Sequence, residues 1–252
     1  MTLPIVLQNI TDTYQQILGS RLTGIYEHGS AAWGCYNPRH SDIDLLVVTS
    51  VAPDQRQKQA LIKQLLACRD QVPAKGLEMS VVLAEHLRPL TYPTPYCLHY
   101  SPRYDLRTRS DLAAYCIASH GLDRDLACHA AVTRCTGKVL CGAPVDQVFG
   151  PVSPEIFRDS IVHDLDGSLI AITEHPTDII LNLCRSLAWS DDGRLRSKLD
   201  GGRWALEKGP IIYIPLIQAA LDDYMHDIPF EWPAAACINF AKWALDDLGI
   251  NS

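Results

Sequence analysis

Apolar residues follow two alternating periods in the first part of the chain and a single helical period in the last part. Within residues 5–18, Ile10, Tyr14, Ile17 and Leu18 fall at helical spacing, which predicts an opening amphipathic helix. Leu22 to Tyr26 reads as a strand running into Gly29 and Ser30. A loop punctuated by Gly34 and Asn37-Pro38 then leads to a second strand, Ile43 to Val48. Residues 54–69, rich in Gln, Lys, Leu and Ala, read as a helix, and GLEMSVVL, residues 76–83, as a third strand carrying Glu78. Pro93 and Pro95 favour an irregular crossing over residues 90–101, because proline removes a backbone donor and restricts the residue before it. Residues 111–120 and 125–134 read as helices.

The string CGAPVDQVFGPVSPEI, with three prolines and two glycines, is the best boundary. Beyond it, Ser153 is an N-cap followed by Pro154 at the first helical position. Only helical patterns follow, over 155–173, 178–189, 203–207, 214–225 and 234–248. The expected architecture is α+β: a mixed-sheet domain over residues 1–150 and an all-helical domain over 151–252.

Composition narrows the class. The chain has 252 residues, of which 47% are hydrophobic and 20% charged, an ordinary globular balance. A net charge of −7 argues against a general nucleic-acid binder and suits a cationic substrate better. No segment approaches the roughly 20 apolar residues that a membrane span requires, and the start MTLPIVLQNITDTYQQILG shows no basic leader. Nine cysteines without a CxxC pair fit reduced thiols, so the expected setting is cytoplasmic, with no membrane partner. His129, Cys135 and Cys141 read as buried or incidental residues rather than zinc ligands.

The chemistry concentrates in GSAAWGCYNPRHSDIDLLVV. Asp42 and Asp44 lie two apart at the mouth of a strand and so point the same way, while Ile43 points into the opposite layer. Two parallel carboxylates repel unless a cation lies between them, and a divalent metal is the natural tenant. Nucleotidyl transfer needs metal to neutralise phosphate charge and a base for the acceptor hydroxyl. Asp42 and Asp44 can be the metal ligands and Glu78 the base. Gly29 lets a phosphate approach the backbone, and the hydroxyls of Ser30 and Ser41 can donate to its oxygens.

This stretch resembles the GS, spacer, D-x-D motif of the DNA polymerase β-like nucleotidyltransferases, and LEMSVV resembles the strand bearing their third carboxylate. Further on, ILNLCRSLAW, SKLDGGRWALE and IQAALDDYMHD resemble, in order and spacing, the helical C-terminal domain of the aminoglycoside (3'')(9) adenylyltransferases. The resemblance covers nearly the whole chain. It implies that Asp42 and Asp44 bind Mg2+, that Glu78 is the catalytic base and that Ser30 and Ser41 touch the triphosphate of ATP. It also implies that Arg185, Lys198 and Tyr224 reach the nucleotide from the helical domain. Members that modify streptomycin carry a tryptophan after the third strand and an acidic residue in the C-terminal domain. The matched positions here are Arg103, with Tyr104 adjacent, and Ala171 and His175, with Glu174 one residue out of register.

The expectation is therefore a monomeric enzyme that moves AMP from ATP to a hydroxyl of an aminocyclitol or aminoglycoside antibiotic, with spectinomycin favoured over streptomycin. Two rivals keep the fold: transfer to another small-molecule or protein hydroxyl, and a nucleotide-binding regulatory module without turnover. The intact set Asp42, Asp44 and Glu78 disfavours the second.

Overall fold

The computed structural model describes residues 3–250 and divides into two compact units, one ending at Ser160 and the other beginning at Ile161. The first unit opens with helix α1 (Leu3–Leu18), strand β1 (Leu22–His28), helix α2 (Gly29–Trp33), strand β2 (Ile43–Thr49), helix α3 (Gln55–Cys68) and strand β3 (Leu77–Leu83). It continues through β4 (Thr94–Tyr96), β5 (Leu98–Tyr100), α4 (Asp105–Ser110), α5 (Leu112–Ala118), β6 (Gly121–Asp123), α6 (Asp125–Thr136), β7 (Lys138–Gly142) and α7 (Val145–Val148). Helix α8 (Pro154–Asp164) crosses the division, and α9 (Ser168–Ala171), α10 (Pro176–Asp192), α11 (Lys198–Lys208), α12 (Ile214–His226) and α13 (Ala234–Asp247) complete the chain.

Five strands form one sheet in the order β5-β3-β2-β1-β7, and β4 pairs with β6 in a second, two-stranded sheet. Only β2 and β3 run parallel; β1–β2, β1–β7, β3–β5 and β4–β6 are antiparallel. Strand alternation divides the large sheet into two faces. On one, Ile43, Leu45, Val47, Leu77, Met79 and Val81 pack with Val6, Ile10 and Tyr14 of α1 and Leu61, Ile62 and Leu65 of α3. On the other, Leu46, Val48 and Val82 pack with Leu126 and Ala130 of α6 and with Phe149. Asp44 and Glu78 belong by register to this second face. Helix α3 begins on a capping box, in which the Asp54 carboxylate accepts from the Gln57 N–H and the Gln57 side chain accepts from the Asp54 N–H.

In the second unit α10 packs against α11, α12 and α13, with Ile180, Leu181, Leu183, Cys184, Leu187 and Ala188 of α10 all buried. Its closest approach is made through glycine: a Cβ on Gly201 would lie 2.5 Å from the Arg185 Cα. Gly201→Val is therefore expected to destabilise the protein by about 1–3 kcal/mol through overpacking. The check is thermal unfolding, where an unchanged Tm would mean that the two helices separate freely.

The architecture is α+β with a helical C-terminal part, as the hydrophobic pattern implied. Four strands appear where none was predicted. β4 and β5 lie in the segment expected to be irregular, since Pro93 precedes β4 and Pro95 sits on a strand paired only to β6. β6 and β7 are edge strands, and the residues of β7 are at most half-buried. The pattern read as one helix over 155–173 breaks after Asp164, where Gly167 takes φ +77°. The stretch read as 203–207 is the longer α11, because Ser197 caps it by accepting from the Asp200 N–H.

Candidate active site

Strand β1 ends at His28, and Gly29 turns the chain at φ +65°, a region that glycine tolerates freely. A Cβ on Gly29 would collide with the Asp44 Oδ2, so the turn is pressed directly onto that carboxylate. Any side chain at this position would displace Asp44. The turn continues into α2, whose last carbonyls are capped by Gly34 in the left-handed region. Lys138 of β7 braces it, donating to the Ala31 carbonyl at 2.6 Å and pairing with Glu27 at 3.5 Å.

The register then sets two carboxylates side by side. Asp44 lies opposite His28 in the antiparallel pair and opposite Glu78 in the parallel pair. Asp42, two residues before Asp44, contributes electrostatically to Glu78 and raises its pKa. Burial is the larger cause of that upward shift, while His129 and Arg103 pull the other way. His28 is 4% exposed and its ring centroid is 4.9 Å from that of His129 on α6. Burial, with repulsion from His129, holds the His28 imidazole well below its usual range, so it is neutral.

The serines differ. Ser30 has a buried Oγ with no hydrogen-bond partner, directly after Gly29. Ser41 is 2% exposed, and its hydroxyl accepts from the Asn37 N–H at 3.1 Å, closing the loop before Asp42. In the helical unit Arg185 lies on α10, donating to Asn182 at 2.7 Å and pairing with Asp164 at 3.7 Å. Lys198 opens α11 and pairs with Asp178 at 3.0 Å. Tyr224 on α12 is 3% exposed. Gly29, Ser30, Ser41, Asp42, Asp44 and Glu78 thus come together at one end of the large sheet. Arg185, Lys198 and Tyr224 lie on three successive helices of the other unit.

Magnesium suits this donor set. Among the described residues no group of three or more His, Cys, Asp or Glu is arranged to hold a metal ion. Magnesium at phosphate-transfer sites needs only one or two carboxylates, with water and phosphate oxygens completing its shell. Asp42 and Asp44 meet that requirement, and the unpartnered Ser30 hydroxyl leaves a donor beside them for a phosphate oxygen.

His28, His129, His99 and Ser101 also border this face and were not singled out as functional by the sequence. The one local signal was alternation in LHYS, where Leu98 and Tyr100 enter the core and His99 and Ser101 face the other way.

Residues 147–247 match the family model described as the aminoglycoside adenylyltransferase C-terminal domain. An aminoglycoside (3'')(9) adenylyltransferase of Klebsiella pneumoniae is 25% identical over 230 residues, covering 87% of this chain and 84% of the relative. A spectinomycin 9-adenylyltransferase of Campylobacter jejuni is 23% identical over 253 residues, covering 97% and 96%. The fold matches the crystal structure of spectinomycin adenyltransferase AAD(9) from Enterococcus faecialis with ATP and spectinomycin at a TM-score of 0.85. That match has 19% identity and covers 99% of this chain and 100% of the other. Residues 147–247 thus match the aminoglycoside adenylyltransferase C-terminal domain, most of the chain is similar to adenylyltransferases, and the whole chain shares the fold of a solved one.

Proposed function

We propose that the protein transfers AMP from ATP to a hydroxyl of an aminocyclitol or aminoglycoside antibiotic, with magnesium held by Asp42 and Asp44. The observation that carries this reading is the alignment of Asp44 with Glu78 in one parallel register, beside a turn that only glycine fits. When bound, magnesium neutralises phosphate charge and orients the triphosphate for in-line displacement. Glu78 accepts the proton of the acceptor hydroxyl while that oxygen bonds to the α-phosphorus. The bond from the α-phosphorus to the bridging oxygen breaks, and pyrophosphate leaves. Burial raises the Glu78 pKa in the metal-free site, the direction that favours accepting a proton.

Gly29 admits phosphate to the backbone, and Ser30 and Ser41 donate to it. For Arg185, Lys198 and Tyr224 the nucleotide role is the one the resemblance implies; Arg185 and Lys198 pair with Asp164 and Asp178, carboxylates whose place a phosphate could take. None of the nine cysteines forms a disulfide, as a reducing compartment would keep them. No helix among the described residues is long and apolar enough to cross a membrane.

The test is pyrophosphate release from ATP and magnesium with a panel of antibiotics. Release that needs an aminocyclitol or aminoglycoside supports the reading. Release only with another small molecule or a protein transfers it to that acceptor, and no release at all favours a nucleotide-binding module.

Spectinomycin is expected to turn over faster than streptomycin. The Arg103 guanidinium lies 4.7 Å over the Tyr104 ring and acts on both Glu78 and His99. A guanidinium-bearing drug meets a like charge there, where the streptomycin-modifying enzymes carry a tryptophan. Initial rates at saturating ATP decide this, and equal or faster use of streptomycin overturns it.

A further inference from the structure

Strand β5 and the extended residue that follows it carry two buried polar groups that find no hydrogen-bond partner among the described residues. The β3–β5 ladder pairs Met79 with Tyr100 and Ser80 with His99. Ser101 is still extended, at φ −142° and ψ 162°, so one further step along that ladder sets it opposite Glu78. Leu98 and Tyr100 fill the core on the other side, which leaves His99 and Ser101 on the face of Ser80 and Glu78. Ser101 is 5% exposed and its Oγ has no hydrogen-bond partner; the His99 Nε2 is buried and equally unpartnered. Such groups cost stability and are rare in folded proteins. Two of them lie on one face beside Glu78, where a ligand hydroxyl would supply the missing partner.

The surrounding strand is fixed. The His99 carbonyl accepts from Tyr115 at 2.6 Å and from Ser119 at 2.8 Å, and the His99 N–H donates to the Ser119 hydroxyl at 3.0 Å. The imidazole Nδ1 is engaged with the Ser80 hydroxyl at 3.0 Å. Only Nε2 is left to meet a ligand.

We propose that His99 Nε2 and Ser101 Oγ bind the acceptor, holding one hydroxyl of a small polyhydroxylated ring beside the hydroxyl that Glu78 deprotonates. This rests on the adenylyl-transfer reading above and adds to it the side of the site on which the acceptor lies. Burial pushes the His99 imidazole down to about 4, with Asp123 opposing the shift and Arg103 and His129 adding to it. The ring is therefore neutral near pH 7. A hydroxyl both donates and accepts, so it satisfies either tautomer of Nε2, whereas an ammonium group satisfies only the accepting one.

Side-chain geometry supplies the test, since Asn places its amide near the imidazole Nδ1 and Gln reaches toward Nε2. With spectinomycin as acceptor, His99→Asn keeps the Ser80 bond and is expected to raise the acceptor KM about ten-fold, the loss of one hydrogen bond of ordinary strength. The KM for ATP stays within about two-fold, because nucleotide contacts are untouched. His99→Gln recovers most of the acceptor affinity, and Ser101→Ala raises the acceptor KM without lowering Tm. A purely structural role for His99 reverses the order, with the Asn variant the more active and losses following Tm. That result, or unchanged acceptor KM in both His99→Asn and Ser101→Ala, overturns the assignment while wild-type turnover stands. Wild-type protein that transfers AMP to no member of the antibiotic panel overturns the functional reading instead, and this assignment with it.

Discussion

Asp44→Asn is expected to abolish the proposed adenylyl transfer and to leave the fold standing. The amide has the shape of the carboxylate but not its charge, so one of the two proposed metal ligands is lost at the point where Gly29 presses the turn against the strand. Electrostatic partners of a transferring group are worth two to three orders of magnitude each by mutagenesis. A loss of about a thousand-fold or more is expected once magnesium placement fails as well. Stability should hold, because the substitution conserves volume and relieves repulsion among Asp42, Asp44 and Glu78. Pyrophosphate release and thermal unfolding read the two halves of this expectation separately. A variant turning over near the wild-type rate would show that the D-x-D pair has another purpose.

Glu78→Gln should lower the turnover number about a hundred- to ten-thousand-fold while ATP affinity is kept, the signature of a lost general base. Glutamine retains the length and hydrogen-bonding edge of the side chain but cannot take a proton from the acceptor. The distinction from a metal ligand lies in binding: calorimetric titration of ATP and magnesium into the variant should give nearly the wild-type affinity. If affinity and turnover fall together, Glu78 serves the metal rather than the acceptor.

The difference between what could be read and what could not follows from how local each signal is. β2 and β3 were legible because each is a mainly apolar run that carries one carboxylate, and that carboxylate also marked Asp44 and Glu78. The α10 and α12 patterns were legible because their buried residues keep helical spacing over several turns. β5 is three residues long and follows two prolines, so nothing in its own sequence favours a strand; it exists because β3 offers an edge. His99 and Ser101 become neighbours of Glu78 only through that pairing. His129 likewise reaches His28 from a helix that begins about a hundred residues later. Spacing within a short window identifies groups that share one strand, while groups that share a site through sheet order need the topology first.

The Lys138 brace on the Gly-Ser turn has a consequence for synthesis. Ala31 and Lys138 are separated by 107 positions, and β7, which carries the lysine, also covers the free edge of β1. A ribosome that has released the D-x-D strand has therefore not yet released the residue that fixes the turn beside it. Domains fold largely as units during translation. Until β7 emerges, the nascent chain carries the D-x-D carboxylates without the clamp that holds the adjoining turn in place.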